Sequence, residues 1–294
     1  MAGRPIPPLA PPADWAAVTG DCVVFVHAHP DDEAIFTGGT MVRLATAGVR
    51  VVLVVATGGE LGEAPPAVAA ALGGTGGPGA VSGGPGPLAL ADRRRAETEA
   101  AAGALGVARV AWLGYRDSGM AGDAANDAAG SLWSADPSAA AGRLAGVLGE
   151  ERPAAVVVYD ADGIYGHPDH VAVHRVGHRA AAAAGVATVY EATVDREYLH
   201  FVETHLVEEA ILAGDLGLVR SHIGLPTVAI DVTVDVRAEL GAKRAAMAAH
   251  ASQIPESTSA LQLPADHFAD VYGWEWYVRV GPPGLIDGLA RSLP

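Results

Sequence analysis

Short apolar runs alternate along this chain with longer segments that read at helical spacing. The first run, Cys22 to His27, is β-branched and carries no ionised residue until its end, as a strand buried on both faces requires. It breaks at Pro30, and Glu33 to Ala47 then reads as a helix closed by Gly48, with Val49 to Ala56 as a second apolar strand. Asp92 to Leu105 continues the pattern as a helix, Arg109 to Leu113 as a strand, Ala139 to Glu150 as a helix and Ala154 to Tyr159 as a strand. Val171 to Ala184 follows as an alanine-rich helix. Later, Val202 to Ala213 and Val236 to Ala251 read as helices, and Thr227 to Val234 and Val271 to Val280 as strands whose order in the sheet stays open.

Strands that alternate with helices need crossovers running back over a sheet face, so the expectation is an α/β fold. Its form is a doubly wound, Rossmann-like, mostly parallel sheet with helices on both faces. One domain over residues 1–294 is expected, with a loose proline-rich arm at 1–18 and a glycine- and proline-rich loop at 58–88, a lid or an insertion. Half of the residues are hydrophobic, yet no run approaches the roughly 18 apolar residues of a membrane span, so no membrane partner is expected. Acidic residues outnumber basic ones 34 to 19, a net charge of −15 that leaves no basic footprint for nucleic acid. The lone cysteine, Cys22, sits inside the first strand and reads as a buried thiol. With no leader-like start, that points to the cytoplasm, and a homo-oligomer is compatible with the chain.

The chemistry gathers after two strands. His27-Ala28-His29-Pro30-Asp31-Asp32-Glu33 follows the first, and Tyr165-Gly166-His167-Pro168-Asp169-His170 follows the strand ending at Tyr159. In doubly wound sheets ligands collect at the carboxyl ends of strands, and the first and fourth strands are neighbours astride the switch point, so the two clusters should meet. His29, Asp32 and His170 then make a two-histidine, one-carboxylate set that leaves a position on zinc for water. Ferrous iron suits the same donors. Taken singly, each cluster also reads as a helix start, with Asp31 or Asp32 capping at Glu33 and Asp169 at Val171. No second cluster of comparable quality is visible, so one metal ion per chain is expected.

The segments His27 to Glu33 and Tyr165 to His170 with His174 resemble the two signature motifs of the LmbE-like, or PIG-L, N-deacetylases. Thr57 to Glu63, Arg93-Arg94-Arg95, Leu113 to Gly122 and Lys243 to Gln253 extend the likeness over most of the chain. Asp117-Ser118-Gly119-Met120 is similar in particular to the actinobacterial enzymes of mycothiol metabolism, whereas the glycine-rich segment after Glu63 and Asp195 to Pro226 depart from them. The resemblance implies that His29, Asp32 and His170 hold zinc and that Asp31 is the general base. It implies that His167, charged and oriented by Asp169, faces the oxyanion as an imidazolium, with Tyr165 as a second donor. It also implies that Arg94, Asp117 and Glu63 contact an amino-sugar substrate, with His250 lining the pocket or packing beside it. The implied reaction is release of an N-acyl group, acetate above all, from an N-acetylglucosamine conjugate.

Two relatives of that activity share the same chemistry, a mycothiol-conjugate amidase and a deacetylase tailoring a secondary metabolite. A nucleotide-binding module on the same sheet would need a glycine-rich first turn, and His29-Pro30-Asp31-Asp32 would repel phosphate instead. A zinc scaffold without turnover would need no base beside its ligand, which Asp31 counts against.

Overall fold

The computed structural model describes residues 21–72, 87–205 and 223–290. Seven strands form one sheet: β1 (Cys22–His27), β2 (Arg50–Thr57), β3 (Arg109–Tyr115), β4 (Ala155–Tyr159), β5 (Thr188–Thr193), β6 (Val232–Asp235) and β7 (Trp274–Val280), in the order β3-β2-β1-β4-β5-β7-β6. The first five run parallel, and β7 and β6 add an antiparallel edge. β1 pairs directly with β4, so the expected switch point is present.

Alternation along the buried strands builds two cores. Val24 and Val26 of β1 face one side, together with Leu144 and Leu148 of α4 (Pro137–Glu151) and Val173 and Val176 of α6 (Pro168–Ala184). Val23 and Phe25 face the other, against Met41 and Leu44 of α1 (Gly38–Thr46), Leu105 of α3 (Pro87–Leu105) and Met247 of α8 (Leu240–Ala249). Helix α6 lies close on the sheet: a Cβ at Gly177 would stand 2.3 Å from Val158 Cγ1, so glycine there permits the approach. Cys22 is buried, and burial first, with Glu151 second, raises its thiol to about 11, as an inert core cysteine requires.

Several expectations change. The helix expected at Glu33 begins as a π turn, Glu33–Thr37, before the α-helical part. Strand β5 has no counterpart in the sequence reading. The strand expected from Thr227 forms only at Val232–Asp235, after a 3-10 turn, and the one expected from Val271 starts at Trp274, after helix α10 (Ala265–Tyr272). Part of the 58–88 stretch is ordered as α2 (Pro66–Ala71), and α3 already begins at Pro87; residues 73–86 lie outside the described residues. So do the arm at 1–18 and most of the helix expected over 202–213, of which α7 (Arg196–His205) is described. No helix among the described residues is long and apolar enough to cross a membrane.

Candidate metal centre

β1 and β4 end side by side, and each delivers one cluster. The loop after β1 is pinned from both flanks: Thr57 donates to Ala28 O through its amide and its hydroxyl, each at 3.0 Å. The Tyr159 hydroxyl, at the end of β4, accepts from the Ala28 amide at 3.0 Å and donates to Asp32 Oδ2 at 2.8 Å. With that proton used, the contact of His27 Nδ1 to the same hydroxyl, 2.9 Å, needs a proton on Nδ1. Burial lowers His27 to about 4 and keeps it neutral. His27 is thus wired into the support of Asp32 through Tyr159, a residue the sequence reading used only as the end of a strand.

The two clusters meet. Asp32 Oδ2 lies 3.5 Å from His29 Nδ1 and 3.4 Å from His170 Nε2, so each expected histidine ligand approaches the expected carboxylate. His167 converges as well: one nitrogen each of His29, His167 and His170 fall within 4.8 Å of one another, as do ligand atoms of His29, Asp117 and Asp169. The donors fit a divalent cation. Burial opposes a charge on His29, but Asp117, Asp169 and Asp32 around it outweigh that penalty and hold it well above the ordinary histidine range. The same carboxylates would favour a metal cation that displaced that proton. Burial opposes the Asp32 carboxylate too, yet His170 and His29 hold it well below the usual range, ionised as a ligand must be. The His170 ring stacks on Tyr159 at 4.1 Å with 9° between planes, which fixes its orientation, and its Nδ1 is buried with no partner.

Asp31 is treated differently. Its φ of 108° is costly for a residue with a Cβ and persists only where the surroundings impose it. Glu33 Oε2 accepts the Asp31 amide proton at 3.1 Å, while the Asp31 carbonyl accepts from Ala34 and Ile35 to start the helix. Neither Asp31 nor Asp32 caps that helix through its side chain, so the capping reading does not hold here. The carboxylate points instead at Arg94 Nη2, 3.2 Å away. Burial raises Asp31 most, Arg94 opposes, Asp32 adds to the rise, and the result is about 6. Neighbouring carboxyls are therefore driven in opposite directions, Asp32 down and Asp31 up.

On the α6 side, His167 is the helix N-cap, its Nδ1 accepting the Asp169 amide at 3.1 Å. That overturns the cap expected from the Asp169 carboxylate. It also changes the expected pairing of Asp169 with the His167 ring, because the Asp169 carboxylate is used elsewhere: it accepts the Ser118 hydroxyl and amide and lies 3.2 Å from His29 Nε2. Burial, then His29 and His170, lower His167 to about 2, so it stands as a neutral imidazole with its proton on Nε2, not as an imidazolium. The Tyr165 hydroxyl lies 3.3 Å from His170 Nε2 and is held protonated by burial and by Asp32, Asp31 and Asp117.

The residues expected at the substrate separate into distinct places. Arg93 pairs with Glu97 and Arg95 lies over Trp112, which leaves Arg94 as the arginine facing the site. Its guanidinium donates to Gly59 O at 2.5 Å and to Pro30 O, so it secures the Asp31 loop and does not reach outward. Asp117 is buried and accepts from Gly119 and Leu61 amides, 3.8 Å from His29 Nε2. Glu63 is exposed, and Glu60 is the acidic side chain that reaches the Asp117 amide, at 3.2 Å. His250 packs beside the site, its Nε2 2.6 Å from Glu33 Oε1. Glu33 and Ser118 join Tyr159 as functional neighbours the sequence did not single out.

Residues 24–181 match the sequence profile of the PIG-L family, GlcNAc-PI de-N-acetylase. The chain is 36% identical over 291 residues to the 1D-myo-inositol 2-acetamido-2-deoxy-alpha-D-glucopyranoside deacetylase of Salinispora arenicola, covering 92% of this chain and 91% of that one. Among solved structures it is similar to the N,N'-diacetylchitobiose deacetylase of Pyrococcus horikoshii, with a TM-score of 0.55, 22% identity, and 89% and 84% of the two chains covered. A 4-carboxy-2-hydroxymuconate hydratase of Pseudomonas putida gives the same TM-score at 20% identity, over 90% and 98%, so the fold by itself does not choose the reaction.

Proposed function

Since the chain belongs to the PIG-L family of N-deacetylases, we propose that it is a single-domain, zinc-dependent, cytoplasmic enzyme that removes acetate from the amino sugar of an N-acetylglucosaminyl-inositol. The observation that carries this reading is the opposed behaviour of Asp31 and Asp32. Pairs of titratable groups pushed apart by their surroundings mark acid and base assignments, and here one carboxylate is fixed as an anion while its neighbour sits near 6.

His29, Asp32 and His170 would hold zinc, with Tyr159 and His27 steadying Asp32. Held there, zinc would supply Lewis acidity, making the attacking water more acidic and the amide carbonyl more electrophilic. Asp31 takes the proton of the attacking water, its carboxylate aimed by the strained loop, by Glu33 and by Arg94. His167 Nε2–H and the Tyr165 hydroxyl face the oxygen on which charge develops, and each donates to it without first needing to be charged. Asp31, once protonated, is placed to return its proton to the leaving amine. Asp169 and Ser118 orient His29, and Asp117 closes the wall beside it. Small-molecule sugar is the partner this acidic site suits.

The test is acetate release from N-acetylglucosaminyl-inositol by protein stripped with chelator and then reloaded with zinc. Loss on stripping and recovery with zinc is expected. Full activity in metal-free protein would overturn the zinc assignment, and no release in any metal state would overturn the substrate.

A further inference from the structure

We infer that His174, His178 and Glu191 form a second, weaker site for a divalent cation of the zinc class, one to two helical turns along α6 from the catalytic cluster. This goes beyond the deacetylase reading and revises the expectation of one metal ion per chain.

His174 and His178 stand four apart on α6, the spacing that places two imidazoles one above the other on a helix face. Their rings are 4.6 Å apart. Glu191 projects from β5 beneath them, and one of its oxygens, Oε1, lies 2.7 Å from His178 Nε2 and 3.6 Å from His174 Nδ1. Ligand atoms of the three fall within 4.8 Å of one another. Both carriers are rigid, since β5 is paired on both edges, by β4 and by β7, and α6 is packed on the sheet.

The chemistry suits a cation better than it suits a closed hydrogen-bond set. His174 Nδ1 lies 3.0 Å from Tyr159 O, and a carbonyl only accepts, so Nδ1 carries the proton; Nε2 keeps the lone pair and is the nitrogen that would ligate, so the 3.6 Å from Nδ1 to Glu191 Oε1 measures the approach of the ring and not a ligand edge. A histidine whose one nitrogen donates to a carbonyl is the usual arrangement of a metal-bound imidazole. The proton that His178 shares with Glu191 lies where a cation would bridge the two, so metal would replace a proton there. Two imidazoles and a carboxylate match zinc, nickel or copper rather than magnesium or calcium. The side chains are 19%, 28% and 12% exposed, so ions reach them from solvent without passing the catalytic cluster, and water can complete the coordination. Exposure to solvent makes it the weaker of the two.

The test is equilibrium dialysis against buffered zinc followed by elemental analysis, with zinc as the only probe. Wild-type protein should hold one zinc per chain at low free zinc and two at high free zinc. His178→Ala and Glu191→Gln should each hold one throughout, while acetate release at low free zinc stays at the wild-type level. In parallel, the His174 and His178 ring resonances of wild type should shift only in the second phase of a zinc titration. A wild type that saturates at one zinc, a Glu191→Gln protein that still binds two, or ring resonances indifferent to zinc would each overturn the site.

Discussion

Two knots of buried charge adjoin the same helical segment, one before Glu33 and one at Gly39 and Thr40, and they are built on opposite plans. Lys243 and Glu275 are each 1% exposed and 2.6 Å apart. Glu275 also accepts the Gly39 and Thr40 amides that open α1, both at 2.8 Å, and the Tyr277 hydroxyl at 3.4 Å. The backbone of both partners is unstrained, and neither lacks a partner among the described residues. Around Asp31, by contrast, a residue with a Cβ is held at φ 108°, Arg94 Nε and His170 Nδ1 are buried without partners, and adjacent carboxyls shift in opposite directions. Buried charge alone therefore does not mark a working site. A strained residue persists only where its surroundings over-determine it, and here it lies beside two carboxyls shifted in opposite directions.

Substitutions sharpen that contrast. Lys243→Met removes one partner of a fully buried pair and should cost about 3–5 kcal/mol of stability, while activity per folded molecule stays unchanged. Denaturant melts with activity normalised to folded protein check it, and a catalytic loss without a stability loss would place Lys243 in the site. His167→Ala should lower turnover about a hundredfold or more through the lost oxyanion donor, and cost about 1 kcal/mol through the lost cap of α6. Zinc content should hold; if it falls, His167 is a ligand, which its convergence with His29 and His170 makes a pointed test. Arg94→Ala should reduce kcat about tenfold, the worth of one charge-assisted hydrogen bond to Asp31, with little change in KM. A rise in KM with kcat intact would return Arg94 to the substrate. Glu63→Gln, at an exposed position, should leave kcat and KM within roughly twofold, the usual span of a surface change. A larger rise in KM would mean that the loop closes over substrate.

What was legible in the sequence was contiguous. His29, Asp31, Asp32, His167 and His170 sit in two short segments, and the strand preceding each told where the segment ends up, because parallel strands deliver their loops to one edge. What was not legible depends on distant pairing. Tyr159 is 127 residues from Asp32, and His250 is 217 from Glu33. The family resemblance paired the Asp169 carboxylate with His167, but the helix turn sends it to Ser118 and His29. Strand β5 escaped because Glu191 interrupts a short apolar run, and that same glutamate completes the peripheral histidine pair. Helix α10 was hidden behind Val271, which continues the apolar run of β7 without belonging to it.

The central claim is that two identical side chains, one residue apart, do different work. Asp31→Asn keeps the size of the side chain and every ligand, so it should retain zinc while acetate release falls by roughly a hundredfold to ten-thousandfold, the range for a lost general base. Asp32→Asn puts a neutral amide oxygen where an anion holds the cation, so it should lose zinc, and added zinc should restore part of its activity. Zinc stoichiometry and acetate release, measured for both variants with and without added zinc, decide between them. An Asp31→Asn protein that loses zinc beside an inactive, zinc-replete Asp32→Asn would reverse the two roles, and full activity in both would contradict the mechanism.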